Sequence, residues 1–290
     1  MSTTLVIGAT GNVGHEVVAQ LLAKGEVVRA ATRNPAAAKF PKGASAVQIS
    51  LERKEDLRNA LAGVDRLFML APSDDIEPDK TVARIVEECM TSGIDAIVLM
   101  TALGAEQSDN PFSRAERIVS ESGLRHTFIR PNWFMQNFSL GFLAQSIRDT
   151  GDIYLPAADA KVSFVDTRDI AAMAVASLTE SGHEGHAYNV TGGCAMTHSE
   201  VADVISKVSK KSVTYTSISD NDLRASLAKE GTPERLIEHF VSLFQPMRDG
   251  LDEPVSSDVS TVLGRLPVTF EQHAQEFADH WRGSSQGYVR

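Results

Sequence analysis

A short apolar segment followed by three evenly spaced glycines opens the chain. Residues 5–7 are Leu, Val and Ile, and Gly8, Gly11 and Gly14 follow at intervals of three. A run of this composition favours a strand, and apolar residues at helical spacing follow from residue 17. The order of strand, glycine turn and helix is typical of the first unit of a parallel α/β fold.

The glycine turn is also suited to hold a phosphate group. It lets backbone N–H groups approach a pyrophosphate closely, and the next helix directs its positive N-terminal end at the same charge. The spacing is Gly-x-x-Gly-x-x-Gly, not the tighter Gly-x-Gly-x-x-Gly of the standard dehydrogenase fingerprint. Because a strand precedes the motif and a helix and second strand follow it, we predict a dinucleotide site here.

The end of the second predicted strand indicates which dinucleotide binds. NAD sites place Asp or Glu about 20 residues beyond the glycines, where it holds the ribose 2′-hydroxyl. This chain has Arg33 at that position, and Lys39 follows it. A guanidinium can form paired, charge-assisted hydrogen bonds to a 2′-phosphate. We therefore expect NADP(H) rather than NAD(H), with Lys39 as a second positive charge.

The first half of the chain alternates between strand-like and helix-like segments. We predict strands at residues 5–8, 27–32, 46–49, 66–70, 96–101 and 127–130, and helices at 35–40, 54–61, 79–92 and 110–122. Repeated strand–helix–strand order predicts a doubly wound parallel sheet of the Rossmann type, covered on both faces.

After Pro131 this alternation stops. We expect strands at 162–165, 187–190 and 213–217, a capping box at 197–200, and mostly helix from 223 to 281. The sequence thus predicts a cofactor-binding domain over residues 1–150, its sheet completed by 187–192, and a smaller α/β lobe over 151–290 that mainly binds substrate.

In an open parallel sheet the ligand lies beyond the carboxyl ends of the strands. We therefore expect further cofactor contacts after the fourth, fifth and sixth strands. The first set lies nearest the pyrophosphate or ribose and the last nearest the nicotinamide, and the residues are Ala71, Pro72, Ser73, Thr101 and Pro131. Each of them is equally compatible with a purely structural role in its loop.

Composition limits the possible partners. The chain has 290 residues, of which 42% are hydrophobic, and a formal net charge of −10. Without a run of Lys and Arg, we expect no nucleic-acid partner. The start has no basic and apolar leader, and no window approaches the roughly 18 apolar residues of a membrane helix. With two distant cysteines, we expect a cytoplasmic protein.

Several segments resemble one known family. They are residues 6–14, Arg33, 61–65, 123–131, 188–192 and 266–270. Together they resemble the NmrA-like branch of the atypical short-chain dehydrogenase/reductases, and most closely its triphenylmethane reductase and NADPH-dependent quinone reductase type. The resemblance implies a Rossmann domain for NADP(H) and a smaller C-terminal lobe, with the substrate between them. It implies cofactor contacts at Gly8, Thr10, Gly11, Asn12, Val13 and Arg33.

The chain departs from most short-chain dehydrogenases at their proton-transfer pair. None of its four tyrosines is followed four residues later by lysine, and the helix that normally carries the Tyr-x-x-x-Lys pair contains Phe112-Ser113-Arg114-Ala115-Glu116-Arg117. Tyr154, Ser113, Thr101 or a water molecule are the alternatives for an acid, and the sequence assigns no catalytic residue among them.

The aromatic segment after Pro131 fits a flat, apolar acceptor. Quinones, cationic dyes, imines and conjugated enones accept hydride without a protein acid, so positioning over the nicotinamide suffices. We predict a substrate pocket lined by Trp133, Phe134, Phe138 and Tyr154. The alternative is that these side chains pack the core of the lobe.

Two functions remain open from the sequence. The first is an NADPH-dependent reductase of a small conjugated or aromatic acceptor, and the second is a non-catalytic NADP(H) sensor that binds a protein partner. The chain is expected to be a monomer or a homodimer. We expect no metal site, because His183 and His186 lie in a surface turn and His273 and His280 lie on an exposed-looking amphipathic helix without a ligand motif.

Overall fold

A computed structural model of the chain describes residues 2–72 and 74–282. Its strands are β1 (Thr3–Val6), β2 (Val27–Thr32), β3 (Ser45–Gln48), β4 (Arg66–Leu70), β5 (Ala96–Met100), β6 (Arg125–Pro131), β7 (Asp152–Leu155), β8 (Lys161–Val162), β9 (Ala187–Val190), β10 (Met196–Thr197) and β11 (Thr214–Ser217).

The helices cover much of the remaining chain. They are α1 (Asn12–Ala23), α2 (Lys54–Leu61), α3 (Pro78–Ser92), α4 (Pro111–Glu121), α5 (Gln136–Ser139), α6 (Ala144–Asp149), α7 (Thr167–Thr179), α8 (His198–Ser209), α9 (Asp220–Lys229), α10 (Glu234–Ser242), α11 (Phe244–Arg248), α12 (Asp258–Leu263), α13 (Phe270–Glu276) and α14 (Ala278–Trp281), with a 3₁₀ turn at Ala105–Gln107.

Seven strands form one parallel sheet in the order β3-β2-β1-β4-β5-β6-β9. β1 pairs with β2 on one side and with β4 on the other. The strand order therefore reverses at β1, which is where open α/β sheets bind ligands. The predicted parallel, doubly wound sheet is confirmed.

The chain divides into two compact units that alternate along the sequence. Unit 1 comprises Met1–Pro131, Thr167–Val190 and Asp258–Arg265, and unit 2 comprises Asn132–Asp166, Thr191–Ser257 and Leu266–Arg290. No single boundary near residue 150 separates them, because α7 and β9 return to the first unit after the chain has entered the second. The assignment of cofactor and substrate binding to separate parts of the chain stays a prediction.

Unit 1 is built around the large sheet. Its central strands β1, β4 and β5 are buried on both faces, so Leu5, Leu67 and Ile97 are fully buried. Four apolar positions were predicted on one face of α1. Val17, Val18 and Leu21 are buried and Leu22 is half-buried, as helical periodicity requires of an inward face.

Unit 2 has two small sheets and an aromatic core. β7 pairs with β11 in parallel, and β8 pairs with β10 antiparallel. Phe138 packs edge-on against Phe164 and Phe270. The fully buried Trp281 donates its indole N–H to the carbonyl oxygen of Phe138 at 2.7 Å.

Two local predictions were wrong. Residues 35–37 form a turn and 38–40 have no regular secondary structure, in place of the predicted helix. Pro41 follows directly, and a residue before proline avoids the helical conformation. The strand predicted at 162–165 is reduced to β8, with one isolated bridge between Phe134 and Val165. The prediction of mostly helical structure from 223 to 281 is confirmed, and its longest interruptions are at 249–257 and 264–269.

His273 is also placed differently from the prediction. Its side chain is fully buried, with Nδ1 at 2.9 Å from Asp166 Oδ2 and Nε2 at 3.1 Å from Ser139 Oγ. The helix α13 is amphipathic, but this position lies on its inner face, where both ring nitrogens have partners. The arrangement of Ser, His and Asp has no exposed nucleophile, since Ser139 is 2% exposed.

Candidate cofactor site and acceptor residues

The glycine turn lies between β1 and α1. Gly8 has φ of +86°, a conformation that favours glycine, and its carbonyl oxygen accepts a hydrogen bond from the N–H of Gly11 at 3.0 Å. Gly11 is the N-cap of α1, it supplies no side-chain cap, and the first turn of the helix has no acidic residue. The N-terminal N–H groups of a twelve-residue helix therefore face a turn without a competing negative charge.

Space at the turn is distributed unequally between its glycines. A Cβ added to Gly11 would approach the carbonyl oxygen of Gly8 to 3.4 Å and no other atom within 4 Å. A Cβ on Gly14 would lie 2.2 Å from that oxygen. Gly14 therefore serves the close packing of α1 on the turn, whereas exposed Gly11 leaves the backbone of the turn accessible. A pyrophosphate contact at Gly11 stays a prediction.

The other predicted residues of the turn differ in the exposure of their side chains. Thr10 is exposed and Asn12 is half-buried. Val13 is 3% exposed, so its side chain belongs to the core and the backbone N–H is the group it offers to a ligand. Their roles as cofactor contacts stay predictions.

The residues after β2 present positive charge to solvent. Arg33 follows the last residue of the strand, and Lys39 lies six residues further on; both side chains are exposed. Within residues 2–72 and 74–282, neither makes a hydrogen bond or an ion pair. A basic group without a protein partner at this position fits a 2′-phosphate better than a free ribose hydroxyl.

The ends of β4, β5 and β6 hold the remaining predicted contacts. Ala71 and Pro72 follow β4, Thr101 follows β5, and Pro131 is the last residue of β6. Ser73, also predicted, lies outside the described residues. β4, β5 and β6 are neighbours in the sheet, so their carboxyl ends lie along one edge of it.

A buried charged pair lies on α4 and β6, where the sequence lacks the Tyr-x-x-x-Lys pair. Arg130 Nε donates to Glu116 Oε1 at 2.9 Å, and Arg130 Nη2 donates to Glu116 Oε2 at 2.6 Å. Thr101 Oγ1 donates to Glu116 Oε1 at 2.7 Å. The bond with Glu116 raises the pKa of Arg130 above its usual value.

Sequence reasoning missed Glu116 and Arg130. Their pairing joins a helix to a strand fourteen residues away, and no local spacing indicates it. One signal was present: Ala115, Glu116 and Val119 share the buried face of α4, and a glutamate on an apolar face requires a partner.

The predicted acceptor residues of unit 2 differ in exposure. Trp133 and Phe134 are half-buried and Tyr154 is 46% exposed, whereas Phe138 is 1% exposed and forms part of the core. A hydrogen bond from Tyr154 to Asp152 raises the pKa of the phenol. The assignment of these four residues to one pocket stays a prediction.

Trp133 is fixed by a neighbour that the sequence did not suggest. Its indole Nε1 donates to Asp252 Oδ2 at 2.9 Å, and its ring packs on Phe244 with centroids 5.4 Å apart. Asn132 Nδ2 donates to the carbonyl oxygen of Asp252 at 2.7 Å. Burial raises the pKa of Asp252, and the bond from Trp133 opposes this shift.

Unit 2 also contains a largely apolar cavity of about 210 Å³, lined by Met135, Phe164, Gly193, Cys194, Met196 and residues 266–270. The Cys194 thiol has its pKa raised by burial, and burial raises the pKa of Cys89 to about 12. Neither cysteine therefore has the lowered pKa of a reactive thiol.

The histidines and carboxylates of the described residues form no metal site. There, no three His, Cys, Asp or Glu residues are grouped as metal ligands. His183 and His186 lie in a turn, and His183 Nδ1 lies 2.9 Å from the hydroxyl of Tyr188. No helix within residues 2–72 and 74–282 combines the length and apolar character needed to cross a bilayer.

The parallel sheet and the glycine turn define a Rossmann-type dinucleotide-binding protein. The chain belongs to the NmrA-like family, whose sequence pattern matches residues 1–274. The predicted resemblance is therefore confirmed.

Named relatives are similar over nearly the whole chain. The chain is 34% identical to an NAD(P)H azoreductase of Xenophilus azovorans over 284 residues, which cover 94% of this chain and 97% of that protein.

Two solved structures share the fold. One is a quinone oxidoreductase, QOR2, of Escherichia coli in complex with NADPH, with a TM-score of 0.81, 26% identity and coverage of 95% of this chain and 99% of that one. The other is triphenylmethane reductase of Citrobacter sp. with NADP(H), with a TM-score of 0.80, 25% identity and coverage of 96% and 100%.

Proposed function

We propose that this protein is an NADPH-dependent reductase that transfers hydride to a small conjugated acceptor, such as a quinone, an azo compound or a cationic dye. The observation that carries the proposal is the open glycine turn at the start of α1, together with the exposed, unpaired Arg33 at the end of β2. Relatives named as reductases, and neighbours crystallised with NADPH or NADP(H), support the same cofactor and reaction class.

The residues of unit 1 would bind and orient the cofactor. The N–H groups of the turn and of the first turn of α1 hold the pyrophosphate, because they are donors without a nearby acid. Arg33 holds the 2′-phosphate by charge-assisted hydrogen bonds. When bound, NADPH supplies the hydride.

The residues of unit 2 would present a flat surface to the acceptor. Trp133 offers a ring whose orientation is fixed by Asp252 and Phe244. An acceptor that delocalises the added charge requires positioning more than acid catalysis. This suits a chain in which none of the four tyrosines is followed four residues later by a lysine.

A panel of acceptors tests the proposal. Purified protein with NADPH is mixed with a quinone, an azo dye, a triphenylmethane dye and an enone, and loss of NADPH absorbance is followed. We expect turnover of at least one of them, with NADPH preferred over NADH. Tight NADPH binding without any turnover would instead favour the sensor that binds a protein partner.

Assembly and location belong to the same proposal. We propose that the protein acts in the cytoplasm as a monomer or a homodimer on a small molecule, and that it has no nucleic-acid partner. Both cysteines are free thiols, which agrees with a reducing compartment. Light scattering of the purified protein distinguishes the two assembly states.

A further inference from the structure

The Thr101 hydroxyl has a fixed hydrogen-bonding direction. Its neighbour Glu116 accepts two bonds from the Arg130 guanidinium, which cannot be deprotonated in proteins. A carboxylate in such a pair has no proton to give, so the 2.7 Å contact requires Thr101 to donate its single hydroxyl proton to Glu116. Toward a ligand, Thr101 Oγ1 can therefore only accept a hydrogen bond.

The three side chains form a rigid, buried unit. The exposed fractions are 6% for Thr101 and 6% for Glu116, and the Arg130 side chain is 13% exposed. Arg130 also contacts Glu106 Oε2 through Nη1 at 2.9 Å. Because Arg130 is held from two sides and the Glu116 oxygens are occupied, Thr101 cannot easily reverse its hydroxyl.

Position in the sheet indicates which part of a dinucleotide lies here. The β1-β2-β3 side of a Rossmann sheet carries the group that reads the adenosine ribose, which in this chain is Arg33 after β2. The nicotinamide half therefore lies over the other side, toward β4, β5 and β6. Thr101 directly follows β5. The nicotinamide nucleoside offers hydrogen-bond donors, namely its ribose hydroxyls and its carboxamide NH₂.

We propose that Thr101 accepts a hydrogen bond from the nicotinamide half of NADP(H), and that Glu116, held by Arg130, fixes the hydroxyl in this acceptor role. The inference rests on the proposed function, since it requires the cofactor. It makes Thr101 a binding residue and Glu116 and Arg130 positioning residues. It also removes Thr101 from the candidate proton donors, because its hydroxyl proton is donated in the hydrogen bond to Glu116.

The charge of Glu116 provides the sharpest test. In Glu116→Gln the side chain keeps nearly the same shape, but one oxygen becomes an NH₂ group that cannot accept from Arg130. With the NH₂ at the Oε1 position, the bond from Arg130 Nε is lost and the NH₂ donates to Thr101, so the Thr101 proton turns toward the ligand. We expect the Kd for NADPH to rise about tenfold, measured by calorimetry, as for the loss of one hydrogen bond. Thr101→Val should give a similar rise, and Thr101→Ser should recover most of the lost affinity.

Two controls separate this role from a general effect on the fold. Glu121→Gln removes the same charge from an exposed position at the end of the same helix, α4, so its NADPH affinity should stay within about twofold of the wild type. Adenosine 2′,5′-bisphosphate lacks the nicotinamide half and should bind all variants equally. Thr101→Val and Glu116→Gln act through one bond, so the double variant should be no weaker than either single variant.

The outcomes distinguish the inference from the proposed function. Unchanged NADPH affinity in Thr101→Val overturns the inference while the reductase proposal stands. An equal loss of NADPH and bisphosphate affinity in Glu116→Gln overturns it too, because the pair would then support only the fold. A wild-type protein that binds neither nucleotide overturns the reductase proposal itself.

Discussion

A Cβ atom on Gly14 would lie 2.2 Å from the carbonyl oxygen of Gly8, closer than any packed structure allows. The helix α1 therefore sits directly on the turn that precedes it. Gly11 lies between these two residues in the chain, yet a Cβ atom there would meet only the Gly8 carbonyl oxygen, at an ordinary contact distance of 3.4 Å. The three glycines are regularly spaced, but they meet two different requirements: Gly14 allows close packing of α1, and Gly11 leaves the backbone of the turn accessible.

Substitutions at Gly14 and Gly11 should separate stability from binding. Gly14→Ala forces backbone atoms apart, and we expect it to lower the free energy of unfolding by about 2 kcal/mol, as overpacking does. Gly11→Ala has room and an extended backbone, so we expect a stability change below about 1 kcal/mol. It should still weaken NADPH binding at least tenfold, because the methyl group occupies the pyrophosphate cradle. Urea unfolding and calorimetric titration measure the two effects.

Normal NADPH affinity in Gly11→Ala would show that the glycine turn is not the phosphate site. A matched comparison is Gly25→Ala, at a glycine where an added Cβ meets nothing within 4 Å but φ is +80°. That variant should lose some stability through backbone strain and keep its nucleotide affinity.

Arg33 should control the choice between the two nicotinamide cofactors. Removing its guanidinium in Arg33→Ala eliminates charge-assisted bonds to a phosphate that only NADPH carries. We expect the Kd for NADPH to rise about tenfold or more, as for the loss of a hydrogen bond to a charged group, and the Kd for NADH to change less than twofold. Lys39→Ala should have a smaller effect in the same direction. Fluorescence titration with both cofactors measures the ratio.

A charge-matched control excludes a general electrostatic effect. Arg117 is an exposed arginine on α4, and Arg117→Ala changes the net charge equally without touching the predicted phosphate site. If this control and Arg33→Ala weakened NADPH to the same extent, Arg33 would have no specific role.

The sequence predicted the sheet better than the second unit. Strands buried on both faces are continuous apolar runs, so β2 and β4 were predicted with their observed bounds, as was helix α2 between them. The capping box at Thr197 was equally readable, because its signal lies within four residues. These elements are specified locally.

The candidate site depends on contacts that local patterns do not contain. The glycine turn and Arg33 were recognisable because a strand end and a fixed spacing mark them. Glu116 meets Arg130 only after α4 packs against β6, and Asp252 reaches Trp133 across 119 residues of sequence. Burial of His273 reversed its expected exposure for the same reason, since its partner Asp166 lies 107 residues away.

Asp252 should make stability fall as pH rises. Burial raises the pKa of its carboxyl in the folded state, so the native protein binds this proton more tightly than the unfolded chain does. The stabilisation that Asp252 contributes is therefore complete below the pKa of this group in the unfolded chain. It is lost as pH rises through the pKa of the group in the folded protein. In Asp252→Asn the amide oxygen still accepts from Trp133 Nε1. We expect this variant to be more stable than the wild type at pH 7 and nearly equal to it at pH 3.

Urea unfolding at a series of pH values tests this expectation. Asp249→Asn, at a neighbouring residue paired with Gln245 on the surface, is the matched control and should show no such pH-dependent gain. A stability advantage of Asp252→Asn that is the same at pH 3 and pH 7 would mean that ionisation of Asp252 is not its cause.

His198 should make stability fall as pH drops, which is the opposite of the effect of Asp252. The ring lies between Phe164 and Tyr215 and is 2% exposed, and its Nδ1 has no hydrogen-bond partner. Burial lowers its pKa from 6.5 to about 4. Since the unfolded chain then binds the proton more readily, stability falls as pH drops from about 6.5 to about 4 and levels off below that. The shift corresponds to roughly 3 kcal/mol over this window.

Replacing the ring by a hydrocarbon of similar size isolates this effect. His198→Phe suits the aromatic surroundings and removes the buried nitrogen that has no partner. At pH 7 we therefore expect the free energy of unfolding of this variant to equal that of the wild type or exceed it by up to about 1 kcal/mol. Its stability should decline less between pH 6.5 and pH 4 than that of the wild type, by up to the same roughly 3 kcal/mol. His186→Gln, at an exposed histidine, should retain the wild-type slope. Equal slopes for His198→Phe and the wild type would assign the acid sensitivity to other groups.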